Sequence, residues 1–184
     1  MERGSQRVSS ERRGVGKVSV RLKWDPSPWN ESQQHLDIIA TTYSKAAAYG
    51  PPVYVVHFDS RSPDGTINMS RHSRTGQGFG YVEEMTLELD RLASSFTRVV
   101  VGVAIHQNDG RKAFANISNV GVLVVEGYDE LLKDDLSQVS ESCAATVAEF
   151  VRDASGAWTF QQMIRGFDSD PVLFAAEMGR FPQP

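Results

Sequence analysis

A single cysteine, Cys143, stands among 184 residues, so no disulfide can form within the chain and the thiolate clusters of structural zinc or iron–sulfur sites are excluded. A reducing, cytoplasmic setting fits that shortage best. Apolar runs are short as well: none reaches the ~18 residues needed to cross a bilayer, and the opening MERGSQRVSSERRGVGK lacks the apolar stretch of a signal peptide. Membrane insertion is not expected. Positive charge is not in excess either, since 19 Lys and Arg stand against 23 Asp and Glu for a formal net charge of −4. A general or specific nucleic-acid binder would concentrate Lys and Arg over one face.

Recognisable catalytic signatures are missing too. The glycine-rich TGQGFG lacks the Gly-Lys-Ser/Thr ending of a P-loop and no βαβ unit surrounds it, although Arg71, His72 and Arg74 beside a turn of successive amides would suit an anion. No GxSxG elbow, SxxK, HExxH or EF-hand loop occurs. Cys143, in SESCAATVAEF, reads as a small packed residue near a strand start rather than a nucleophile. No nucleophile and base come together, and an enzyme is not expected.

What is present is a β pattern. Val18, Val20, Leu22 and Trp24 alternate with Ser19, Arg21 and Lys23, and Met85, Leu87 and Leu89 alternate with Glu84, Thr86, Glu88 and Asp90, the period of half-buried strands. Residues 38–43 and 53–58 are β-branched or aromatic runs. Residues 99–105 and 120–125 are nearly continuous apolar runs suited to central strands deep in the core. Residues 144–151 and 158–164 flank RDASGA and predict a terminal hairpin, with a helical first arm as the alternative. The last element reads as a helix capped by Asp170, started by Pro171 and ended by Gly179, with Leu173, Phe174 and Met178 facing the body. Many short strands with few helices point to an all-β, two-sheet antiparallel sandwich occupying residues 15–184 as one domain. Residues 1–14, with Arg3, Arg7, Arg12 and Arg13 among Ser, Gly and Gln, predict a disordered basic segment.

Acidic side chains at strand edges offer a hard-cation site: Asp25, Asp37, Asp59, Asp64 and Glu83. Calcium takes six to eight oxygens in tolerant geometry, which loops at one sandwich end can supply. Equally, Asp25 and Asp64 suit turns, where they bond local amides. His35 and Asp37 are two apart on a predicted strand and so point the same way. A loop bringing His72 to them would make zinc or another transition metal conceivable.

In order along the chain, LKWD, HLDIIATTY, VHFDSRSPDGTI, SRTGQGFGYVEEMTLELD, VVVGVAIHQ, FANISNVGVLVVE and AWTFQQMIRGF resemble the TerD family of tellurium-resistance and stress-response proteins, over about residues 15–181. The resemblance implies a β-sandwich whose end loops bind calcium, no established catalytic activity, and action through a protein partner in a stress-response assembly. It matches Asp25, Asp37, Asp64 and Glu83 to acidic positions of the family and Asp59 to an asparagine position.

This chain also departs from the family pattern. His35 stands for the first aspartate of DLD, residues 72–76 (HSRTG) replace the acidic GDNRTG phrase, and Phe79, Tyr81 and Val82 occupy positions where aspartates belong. Ligand charge is one determinant of calcium affinity, so calcium binding is expected to be weak or absent. A metal-dependent role using His35, Asp37 and His72 is the alternative. Phe79 and Tyr81 suit either a contact surface or core packing.

Overall fold

In the computed structural model, which describes residues 14–180, the sequence alternation becomes two layers. The basic N-terminal segment lies outside the described residues apart from Gly14. Strand β1 (Lys17–Lys23) buries Val18, Val20 and Leu22 and leaves Ser19 and Arg21 half-buried on its other face. It is the middle of a five-stranded sheet. On one side it pairs with β5 (Glu83–Glu88), placing Val18 opposite Leu87 and Val20 opposite Met85. On the other it pairs with β7 (Gly121–Glu126), while β4 (Ile67–Arg71) and β8 (Asp129–Asp134) form the edges.

The second sheet runs in the order β10 (Trp158–Phe167), β9 (Ala144–Arg152), β6 (Phe96–Ile105), β2 (Leu36–Ser44), β3 (Tyr54–Val56). Every pairing in both sheets is antiparallel. Val20, Leu22 and Met85 of one sheet meet Ile38, Val101, Val103 and Phe150 of the other between the layers. The first arm of the terminal hairpin is therefore a strand. Its turn is held by Asp153, whose Oδ1 accepts from Ser155 N at 2.8 Å and Ala157 N at 3.1 Å.

Strands β2 and β6 are apolar on both faces because the outer face is covered as well. Ile39, Tyr43, Val100 and Ala104 lie beneath α1 (Pro171–Glu177), which docks through Phe174 and Met178. Gly102 permits the approach: a Cβ there would stand 2.5 Å from the Phe174 ring and 2.7 Å from the Ala145 carbonyl oxygen. Asp170 caps the helix by accepting from Leu173 N at 2.9 Å. Leu173, expected to face the body, is instead 54% exposed. Phe174 and Met178 are four apart and share one face, whereas residue 173 lies about 100° around the helix from 174.

Two strands escaped the sequence pattern. β4 lies in the polar stretch between SPDG and TGQGFG and buries only Ile67, and β8 (DELLKD) buries only Leu132. Both are edges, where pairing on one side and charged side chains are tolerated and the apolar alternation fades. Phe79 projects fully into solvent, whereas Tyr81 is half-buried with the Lys23 ammonium 5.7 Å from its ring centroid. No helix among the described residues is long and apolar enough to cross a membrane.

Candidate metal centre

The loop after β4 is pinned at one end of the sandwich. Gly76 has φ +79° and sits against Trp24, where a Cβ would come within 2.5 Å of Nε1. That indole N–H donates to the Gln34 carbonyl at 3.1 Å, tying loop, first strand and the entry to β2 together. Ser73 Oγ accepts from Gly76 N at 3.0 Å, which fixes the segment carrying His72.

Asp37 is the buried centre of the first donor group. It sits on the helix-covered face of β2, two residues before Ile39, and is 1% exposed. The β2–β6 pairing places Asp37 opposite Ala104 and lets His106 N donate to the His35 carbonyl at 2.9 Å. His35 and His106 consequently stack, with ring centroids 4.0 Å apart and planes within 2°. His106 Nε2 hydrogen-bonds Asp37 Oδ2. His35 Nε2 lies 3.0 Å from Asp37 Oδ1 but out of line for a hydrogen bond, so both buried atoms lack a hydrogen-bond partner. Orphaned buried polar atoms are uncommon and carry a desolvation cost of about 1–3 kcal/mol each. These two lie 3.0 Å apart, and with His106 they form a donor group close enough to share a cation.

Glu83 anchors the second group. Its carboxylate points between the sheets because residue 83 continues the inward register of Met85 and Leu87, and it is fully buried. Oε1 accepts from Ile38 N at 2.8 Å, while Oε2 lies 3.1 Å from His72 Nδ1 and accepts from Ser73 N at 3.4 Å. Phe58 stacks on His72 with centroids 4.6 Å apart and walls the site. Two triads result, His35–Asp37–His106 and Asp37–His72–Glu83, in each of which the donor atoms lie within 4.8 Å of one another.

Electrostatics favour a positive occupant. Burial, reinforced by the charge of Asp37, pushes the Glu83 carboxyl up to about 8 against the backbone amides of Ile38 and Ser73, so the acid keeps its proton at neutral pH. Burial would raise Asp37 likewise, but the His106 hydrogen bond and the contact with His35 outweigh it and hold that carboxyl below its ordinary value. Burial lowers His72, with Asp37 opposing and His35 and Arg74 adding to the fall. Neutral imidazole is the form that ligates metals. Three imidazoles with two carboxylates suit a borderline cation such as zinc better than calcium, which prefers oxygen throughout.

The five acidic candidates separate in space. Asp37 and Glu83 share a triad; Asp25, Asp59 and Asp64 belong to neither. Asp25 accepts from Asn119 Nδ2 at 3.1 Å, and Asp59 is exposed. Asp64 holds its own turn through Ser62 and through Thr66 N at 3.0 Å. His106 was absent from the candidates chosen on sequence. Its one signal was its position directly after the 99–105 run, and the significance of that position depends on which strand pairs with β6.

Comparison with known proteins is consistent with this architecture. The family model for the TerD domain matches residues 1–175. Tellurium resistance protein TerD of Alcaligenes sp is 25% identical over 183 residues, covering 96% of this chain and 94% of that protein. General stress protein 16U of Bacillus subtilis (strain 168) is 23% identical over 172 residues, with 90% and 89% covered. A crystal structure of a homologue of telluride resistance protein (TerD) from Streptomyces coelicolor A3(2) superimposes with a TM-score of 0.90 at 68% identity, covering 92% of this chain and all of that one.

Proposed function

Because the chain belongs to the TerD family, we propose that it is a stress-response binding module, not an enzyme, in which calcium binding is reduced or lost and zinc or a similar borderline divalent ion is held by His35, Asp37, His72, Glu83 and His106. Stress and tellurium-resistance relatives support the first half of this reading. The observation that carries the second is the buried Asp37 carboxylate flanked by two stacked imidazoles, with Asp37 Oδ1 and His35 Nε2 unsatisfied. A calcium site would instead converge acids and carbonyls, yet Asp64 bonds within its own turn and Asp25 accepts from Asn119.

A bound ion would supply one strong positive charge joining β2, β5, the end of β6 and the loop that carries His72. Glu83 would release its proton to ligate, and Phe58 would shield the ion's imidazole side from water. Ordering this loop would also set the position of the exposed Phe79, so ion occupancy would tune a contact surface for a protein partner. A non-catalytic role agrees with Cys143, whose thiol is pushed up by burial and so is a poor nucleophile at neutral pH.

Calorimetric titration of untagged, chelator-treated protein with zinc and with calcium tests the reading. Zinc should bind more tightly than calcium. His106→Ala should weaken zinc by roughly tenfold or more, since even outer-shell partners of a ligand contribute about 10 to 100-fold. Two tight calcium sites, or no zinc uptake, would overturn it.

A further inference from the structure

The two sheets differ in what covers their outer faces. Helix α1 packs over β2 and β6, whereas among the described residues no α-helix lies over the outer face of the sheet containing β1. That face holds a concavity of about 770 Å³. Pairing sets Ser19 between Thr86 and Val125, so three short side chains form its floor. Its charged rim is uneven. Arg21 pairs with Glu84 at 3.2 Å and Lys17 with Glu88 at 3.7 Å, but Asp90, Glu126 and Asp129 have no cationic partner among the described residues. All three stand where the N-terminal segment joins the fold. Gly16 N donates to Glu126 Oε1 at 2.7 Å, a Cβ on Gly16 would lie 3.6 Å from Asp90 Oδ2, and Asp129 is the β8 residue opposite Glu126. Gly14 itself lines the concavity.

We infer, independently of the metal reading above, that the basic segment of residues 1–13, which lies outside the described residues, docks back over this sheet face through its arginines. Arg3, Arg7, Arg12 and Arg13 stand against only Glu2 and Glu11 in that segment, so its charge complements the three unpaired acids. Its base is fixed, because Val15 N donates to Trp158 O at 2.8 Å. Arg12 and Arg13 adjoin Gly14, and each extended residue spans about 3.3–3.6 Å, which keeps both guanidinium groups within reach of Asp90, Glu126 and Asp129. The whole segment can extend about 45 Å, against roughly 23 Å for a strand the length of β1, so Arg3 and Arg7 can follow the face as far as Glu84. Exposed ion pairs are individually weak and screened by salt. Tethering makes the contact intramolecular, at an effective concentration in about the millimolar range, so pairs too weak to hold a separate peptide suffice here.

The experiment uses the full chain, free of metal, with Ser5→Cys carrying a nitroxide, and reads the paramagnetic broadening of backbone amide signals. Cys143 is 4% exposed and so is shielded from the label. Broadening should concentrate at Ser19, Thr86, Gly127 and Asp129 and spare α1. Asp90→Asn combined with Asp129→Asn, both at exposed positions, should reduce it roughly twofold or more, since one exposed ion pair shifts an equilibrium by about 1.5 to 5-fold. Salt at about 0.5 M should reduce it as well, by screening. Broadening spread evenly over the surface, centred on α1, or unchanged by both the double variant and salt would overturn the inference. So would broadening that arises only between molecules, seen when isotope-enriched chain without the label is mixed with labelled chain, because the segment would then lie on a second copy.

Discussion

Glu83→Gln separates the buried acid's contribution to stability from everything around it. The side chain is fully buried and its carboxyl is raised from 4.5 to about 8. The folded state therefore holds a proton that the unfolded chain releases. The associated stability is complete below about pH 4.5 and is lost as pH rises through 8. Across the middle of that window one group changes stability by about 1.4 kcal/mol per pH step of one. Between pH 5 and 7, with the unfolded acid still partly protonated at the lower limit, the change amounts to about 2 to 3 kcal/mol. Glutamine keeps the shape and the acceptor for Ile38 N but does not titrate. His72, lowered in the fold, works in the opposite direction, gaining stability as pH rises to its ordinary value of 6.5, and it is present in both proteins. Urea unfolding of metal-free wild type and variant at pH 5, 6 and 7, followed by tryptophan fluorescence, should show the stability difference shifting towards the variant by about 2 to 3 kcal/mol across the range. Parallel pH curves for the two proteins would refute the reasoning, because they would mean that Glu83 is ionised in the fold. Excess zinc should flatten the wild-type curve, since an ion that binds only the folded state adds stability by mass action as it displaces the proton.

Gly102→Ala places a methyl 2.5 Å from the Phe174 ring and 2.7 Å from a backbone oxygen. It should cost about 1–3 kcal/mol in urea unfolding through overpacking, and an unchanged midpoint would mean that α1 is not seated on β6 as described. Asp64→Ala removes the acceptor for Thr66 N and should lower stability by about 1 kcal/mol, to the same extent with and without calcium. A loss seen only in calcium would make Asp64 an ion ligand. Phe79→Ser, at a fully exposed position, should leave stability within about 0.5 kcal/mol while weakening capture of partners in affinity purification. Retention of every partner would remove Phe79 from the contact surface.

Sequence alone carried the layer architecture wherever one face of a strand is buried. The alternation in residues 18–24 and 85–89 and the continuous run in 99–105 reflect solvent on one side or neither, and that information is local. The Asp170–Pro171 start of α1 was legible for the same reason: a cap is a contact within one turn. The edge strands β4 and β8 left little trace, because an edge need bury only one residue, as with Ile67 and Leu132.

Tertiary structure decided the site. His35 and Asp37 share a face by local geometry, but His106 joins them only because β6 pairs with β2 in a register that sets Asp37 against Ala104. Glu83 and His72 arrive from the other sheet and its edge loop; Glu83 is 45 residues further along the chain than Ile38, from whose amide it accepts a hydrogen bond. Neither the partner strand nor the register is encoded in the residues that form the cluster. The sequence showed His35 two residues from Asp37 and His72 just before RTGQG. Only the packing of the two sheets determined that these histidines converge on a buried carboxylate, because that convergence depends on contacts between segments far apart in the chain.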